Sequence, residues 1–234
     1  MKAFTLPSVD AQVTTLRGID PKLNPDCLGK STNMDTGVHL VVPRLGFISS
    51  NPHTESAALW SIMRNFWPRK GIFSECDSRI FGEGTTTVPI TSSSLDRAWH
   101  EWDAGDFFII EAYSGVDPHH PGVKEYPNHI GYPTAYARHV MIGKQNLTRE
   151  FPLGIREALI LTIVSPKRFI ESDLIMRVPG TLVSADGEDA NYGVLSTPAI
   201  CSHPKSNVLK LFLNGDAISN RFAGSACGKL CPKP

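Results

Sequence analysis

The chain has 234 residues, with 23 basic and 23 acidic side chains and no formal net charge. That length allows one substantial core, burying roughly 70% of the unfolded surface, and the balanced charge lacks the basic footprint that DNA or RNA binding requires. No window reaches about 18 consecutive apolar residues, so no membrane span is expected, and 19 glycines and 18 prolines spread along the chain argue against a helical bundle without reaching the level of disorder.

The first residues, M-K-A-F-T-L-P-S-V-D, hold one basic side chain and no sustained apolar region, which is not the pattern of a secretory signal. A cytoplasmic or host-intracellular location is the expectation. Residues 1–36 lack periodicity and carry Pro7, Gly18, Pro21, Pro25 and Gly29, so they read as an extended N-terminal arm or a surface-hugging lead-in. Val38 to Ile48 is β-branched and alternates loosely; it reads as a strand that Pro43 confines to an edge or a bulge. Thr54 to Trp67 carries Leu59, Ile62, Met63, Phe66 and Trp67 at helical spacing, with Asn51 or Thr54 as a cap and Pro68 as a stop. Ser92–Ser94 followed by Leu95, Trp99 and Trp102 suggests a shorter helical turn.

The remaining segments read as strands between turn residues: Gly71–Phe81, Thr85–Thr91, Asp106–Tyr113, Thr134–Ile142, Ile155–Val164, Leu174–Val178, Thr181–Ser184, Asn191–Leu195 and Val208–Leu213. The clearest is D-F-F-I-I-E-A-Y, nearly continuous in apolar and aromatic residues. Ile155–Val164 has helical propensity in its first half, but Pro152, Gly154 and Pro166 bracket it at strand length. No alternation of strands with long helices points to a doubly wound sheet. The expected fold is mainly β: an antiparallel β-sandwich of jelly-roll type over residues 37–222, with one packed helix near 54–67 and a loosely tethered tail over 223–234.

Chemistry-bearing residues concentrate in D-P-H-H-P-G-V-K-E-Y-P-N-H-I-G-Y-P. It places Asp117, His119, His120, Glu125 and His129 on a Pro- and Gly-rich connection, with His139 shortly after. Two histidines and a carboxylate suit Zn²⁺, Fe²⁺ or Mn²⁺, so His119, His129 and Asp117 are the candidate metal ligands. The spacing matches no defined signature, and histidines on such a loop serve an intermolecular contact equally well. W-H-E-W-D offers His100 and Glu101 as a candidate acid–base pair beside two tryptophans, with Glu101, Asp103 or Glu111 available as carboxylates behind a metal.

The five cysteines, Cys27, Cys76, Cys201, Cys227 and Cys231, are an odd number at irregular spacing. Cys227 and Cys231 would need Cys201 and His203 to complete a zinc site, an arrangement outside the usual pairs, so they read as buried or tail thiols. Cys76 with Asp77 or Asp103 and a histidine has the parts of a nucleophilic site but no recognisable neighbourhood. The glycine pairs match neither a phosphate loop nor a calcium loop.

Two functional classes follow, with a third beside them. The arm, the tail, zero net charge and the absence of a catalytic motif describe a structural protomer that acts by association with copies of itself, such as a viral coat or shell protein, then located in a virion. No cofactor is expected on that reading. The alternative is a small β-rich metal-dependent enzyme, a cupin-like oxygenase, isomerase or hydrolase, using the 117–139 loop and a divalent Zn, Fe or Mn ion. The third is a metal-free ligand-binding module whose tryptophans make the contacts.

Overall fold

The apolar run centred on Ile109 and Ile110 forms β4 (Phe107–Tyr113), buried along nearly its whole length, as a strand covered on both faces should be. The computed structural model describes residues 6–28, 38–66, 73–102, 105–113, 131–166, 175–184, 195–203, 208–218 and 222–231. Within them β4 lies between β1 (His39–Pro43) and β11 (Cys227–Leu230), antiparallel to both. Strand β5 (Glu150–Pro152) closes the far side of β11 and gives the order β1-β4-β11-β5.

A second, mixed sheet is organised by the long β8 (Leu195–His203). One edge of β8 pairs antiparallel with β9 (Val208–Gly215); the other pairs with β7 (Thr181–Ser184) and then with β6 (Ile175–Arg177). β3 (Thr85–Thr87) extends the sheet beyond β7, while β2 (Phe73–Cys76) runs parallel to β9 and β10 (Ala223–Ser225) parallel to β6.

Only Ala226 separates β10 from β11. Its N–H donates to the Arg177 carbonyl at 2.9 Å and its carbonyl accepts from the Leu153 N–H at 3.2 Å. One extended segment therefore belongs to both sheets. Residues 223–231, expected within a loose tail, instead form two strands that are almost entirely buried. The small residues that made this segment look loose are what admit it to the interior. A Cβ on Gly228 would meet the Phe151 ring at 2.7 Å and Leu153 Cδ2 at 2.9 Å.

Sheets form as expected, but the architecture is not clearly a jelly-roll sandwich, and mainly β holds only in part. Five helices accompany eleven strands among the described residues, and two strand pairs are parallel. The expected helix is present as α2 (Pro52–Phe66), with Asn51 Oδ1 accepting the His53 and Thr54 N–H groups at 2.9 and 3.1 Å. The tryptophan turn grows into α3 (Pro89–Glu101), opened by proline at its first turn.

Three helices depart from expectation. Within the supposed arm, α1 (Val9–Arg17) is capped by Ser8 and buries Val9, Gln12, Val13 and Leu16. Gln12 also finishes the free edge of β1: its Nε2 donates to the His39 carbonyl at 2.7 Å and its Oε1 accepts the Val41 N–H at 3.0 Å, in place of a neighbouring strand. Thr134 opens α4 (Thr134–Thr148), where Ala137, Arg138 and Met141 are buried while Tyr136 and Ile142 are exposed, a mixture that blurs the helical stripe. The segment read as a strand at 155–164 is α5 (Ile155–Val164), buried at every residue. A helix buried on all sides carries no amphipathic stripe, so its sequence resembles a buried strand.

Helix α5 is fixed by Arg156, which is buried. Its Nε donates to Glu55 Oε2 at 3.0 Å, Nη1 to Glu157 Oε1 at 3.2 Å, and Nη2 to the Pro43 and Arg44 carbonyls at 2.8 and 2.7 Å. Glu55 in turn accepts the Gly46 N–H at 3.2 Å, where Gly46 holds φ at +75° and a side chain would be strained. No described helix is long and apolar enough to cross a membrane.

Removing the Arg156 guanidinium leaves two carboxylates in the core. Arg156→Leu is expected to lower unfolding stability by about 3–5 kcal/mol, read as a lower urea midpoint at unchanged slope. A loss below about 1 kcal/mol, the value of a surface pair, would show that this network does not hold α5.

Candidate functional site

Alternation along β4 places Glu111 and Tyr113 on the same face of the four-stranded sheet. The register then lays a row of polar residues across all four strands. His39 on β1 is paired with Glu111, Glu111 with Lys229 on β11, and Lys229 with Glu150 on β5. Basic and acidic side chains alternate along this row, which is the favourable order for cross-strand neighbours. Lys229 Nζ lies 3.8 Å from Glu150 Oε1 and 5.5 Å from the centre of the Tyr113 ring.

At the β1 end the row meets the residue that follows β11. One donor atom each from His39, Glu111 and Cys231 lies within 4.8 Å of the others, with His39 and Glu111 half-buried and Cys231 buried. Imidazole, carboxylate and thiol are the three donor types of zinc sites. Two neighbours fix the set. The Tyr113 hydroxyl donates to Glu111 Oε2 at 2.6 Å, orienting the carboxylate, and the buried Trp102 indole N–H donates to the Cys231 carbonyl at 3.2 Å.

Burial dominates the chemistry of the thiols. It pushes Cys231 up to about 12, with the Glu111 charge adding to the rise and the Glu111 backbone N–H opposing it. Cys227, also buried, is raised well above the ordinary thiol range, first by burial and then by Glu150, with Lys229 opposing. Reactive cysteines need the reverse environment. Cys76 is no better placed, since burial and then Asp77 push it up to about 11. Asp77 is itself engaged: its side-chain bond from Arg79 holds its carboxyl below the usual range. The four cysteines with described side chains are free thiols.

The residues singled out from the sequence are described only in part. Asp117, His119, His120, Glu125 and His129 lie outside the described residues, as does Asp103. His139 is on the exposed face of α4. His100 and Glu101 close α3 and are both exposed, with Glu101 Oε1 3.7 Å from Arg97 Nε one turn earlier. The neighbouring tryptophans turn inward: Trp99 meets the Phe108 ring edge-on at 5.9 Å and Trp102 is buried. Glu111, read as a carboxylate behind a metal, is instead placed among the donors. From the sequence, Cys231 groups only with Cys227, Cys201 and His203, a set that reads as buried or tail thiols, and His39, at the start of a strand, has no metal reading. The signal was Glu111 itself, the single charge in an otherwise apolar strand.

Comparison with protein-family models, with curated proteins and with solved structures finds no match to this chain.

Burial and raised thiol pKa values together make a direct expectation. In metal-free native protein at pH 7.5, Cys227 and Cys231 resist iodoacetamide and react only after unfolding, as read by peptide mass spectrometry. Labelling of either at the rate of an exposed thiol would contradict the site described here.

Proposed function

We propose that the chain is a metal-dependent enzyme that activates water at a divalent ion of the zinc class, held by His39, Glu111 and Cys231. The observation that supports this reading is the approach of three unlike donors, from β1, β4 and the residue after β11, to within 4.8 Å of one another. Structural zinc sites close with four protein ligands, whereas catalytic sites use three and keep one position for water or substrate. Bonds of about 2.0–2.3 Å require the donors to draw in somewhat from their present spacing, a side-chain adjustment on two half-buried residues. A bound ion supplies Lewis acidity and a hydroxide near neutral pH.

The chain's own groups complete the chemistry. Tyr113 holds the Glu111 carboxylate in one orientation. Lys229, the register partner of Glu111, brings a positive charge to the same face, a charge that would suit an anionic substrate group or developing oxyanion near a bound ion. Cys231 would serve as a ligand in its thiolate form, so metal uptake would be accompanied by proton release. This reading keeps the small metalloenzyme class and moves its ion from the histidine-rich segment to the sheet.

A specific observation favours a second reading, self-association of the kind a coat or shell protomer shows. Tyr132, Tyr136, Ile218 and Phe222 are 48%, 52%, 56% and 51% exposed. The Gly131 N–H to Ala223 carbonyl bond and the Ala135 N–H to Asp216 carbonyl bond bring the segments carrying them together, and exposed apolar groups gathered this way mark contact surfaces. Light scattering of the purified chain tests it. An oligomer that Tyr136→Glu dissociates supports self-association, and a monomer at all concentrations and salts excludes it.

Metal uptake tests the main reading. Full-length protein loaded with zinc and desalted is expected to retain about one equivalent, and cobalt loading is expected to give thiolate-to-metal absorption. Cys231→Ser should abolish that absorption, and Tyr113→Phe should weaken affinity by about tenfold or more. Sub-stoichiometric retention by a folded wild-type chain, or cobalt absorption that survives Cys231→Ser, would overturn the assignment.

A further inference from the structure

Arg177, on β6, is fully buried, and only part of its guanidinium is used. Nη1 donates to the Tyr132 carbonyl at 2.9 Å, while Nε and Nη2 have no hydrogen-bond partner. Two hydroxyls share the deficit: Ser225 Oγ and Thr134 Oγ1 are likewise buried and without a partner. Ser225 is the register partner of Arg177 across the β10–β6 pair. Thr134 begins α4 two residues after Tyr132, whose carbonyl fixes the guanidinium. Four unused polar atoms able to donate thus belong to one neighbourhood.

The charge there is also unbalanced. Among the described residues, the carboxylate that acts on Arg177 is Asp216, but its two oxygens are occupied by Arg138, at 2.8 Å from both Nη1 and Nη2, and by the Thr197 hydroxyl at 2.6 Å. Arg138 is completed by the Pro179 carbonyl at 2.7 Å. Two guanidinium groups therefore share one carboxylate. The amino end of α4 adds positive potential, with no acidic residue in its first turn to offset it. A buried cation without a counter-charge costs several kcal/mol, and natural proteins rarely leave buried donors unused.

We infer that Arg177, Ser225 and Thr134 form a binding site for an oxyanion of the phosphoryl class, seated at the N-terminal end of α4. Nε and Nη2 are the side-by-side pair that meets two oxygens of one phosphoryl or carboxylate group. The two hydroxyls provide further donors, more than a carboxylate's two oxygens need and suited to a group with three or four. Helix N-termini are ready-made sites for such groups. Tyr132, whose carbonyl accepts from the guanidinium, is itself exposed. The site shares no residue with the His39–Glu111–Cys231 group and does not depend on it.

Inorganic phosphate is the probe, titrated into the full chain by calorimetry and thermal unfolding, against sodium chloride at matched ionic strength. Saturable one-site binding and a rise in Tm with phosphate are expected. Arg177→Met should abolish both and, by removing an uncompensated buried charge, should unfold at a higher temperature than wild type in phosphate-free buffer. Should Arg177→Met fail to fold, Ser225→Ala serves instead, with phosphate affinity reduced about tenfold. Sulfate and acetate separate the chemistries: sulfate binding alongside phosphate supports a tetrahedral site, while acetate binding without phosphate overturns the phosphoryl assignment. Absence of saturable phosphate binding by wild type, or binding unchanged in the variants, overturns the site.

Discussion

The structure turns on the two backbone hydrogen bonds of Ala226. Its N–H reaches the Arg177 carbonyl of the mixed sheet and its carbonyl receives the Leu153 N–H beside β5, so a single residue joins the two sheets. Buried backbone groups must be paired, and here the pairing dictates topology. The strand that follows is committed to the slot between β4 and β5. Once it lies there, alternation and register carry Lys229 to Glu111 and Glu150, and Cys231 to His39 and Glu111. The residue before Ala226 is fixed in the same act: Ser225 stands opposite Arg177. Both sites proposed for this chain are consequences of one short segment threading the interior.

Three buried arginines show how to tell a structural charge from one that awaits a partner. Arg156 makes four hydrogen bonds, two of them to carboxylates. Arg138 forms a two-pronged pair with Asp216 and adds two further acceptors. Each is electrostatically complete, and its role is to hold helices α5 and α4 against the sheets. Arg177 is as buried as either but has one carbonyl and no carboxylate of its own. Desolvation lowers its pKa, while Asp216 only partly opposes that. Burial alone does not separate these cases; the count of satisfied donors does.

The legible part of the fold was the part with one-sided or uniformly apolar patterning. β4 and α2 follow from an apolar run and a capped helical stripe, and β7 matches its expected bounds, Thr181–Ser184. The misreadings share a physical origin. α5 is buried all round, so its sequence carries no stripe to add to the helical propensity of R-E-A-L-I-L-T-I, and the bracketing Pro and Gly pointed to a strand; tertiary packing decides. α4 exposes Tyr136 and Ile142 and buries Arg138, reversing the polarity a sequence reader assumes. The segment A-G-S-A-C-G-K-L-C looks like a tail because small residues suit loops, yet Gly228 is small because Phe151 and Leu153 leave no room. Of the site, Glu111 was visible as a lone charge in an apolar strand. His39 and Cys231 were not, because they lie 192 positions apart in the chain and only strand order brings them together.

In the proposed site, sulfur, nitrogen and carboxylate oxygen from three separate segments bind one ion, and X-ray absorption at the zinc edge of loaded full-length protein reads that donor set. One sulfur at about 2.3 Å and nitrogen and oxygen ligands at about 2.0–2.2 Å are expected, with the sulfur lost in Cys231→Ser. A shell of nitrogen and oxygen alone in the wild-type protein, or sulfur scattering that persists in that variant, would contradict it.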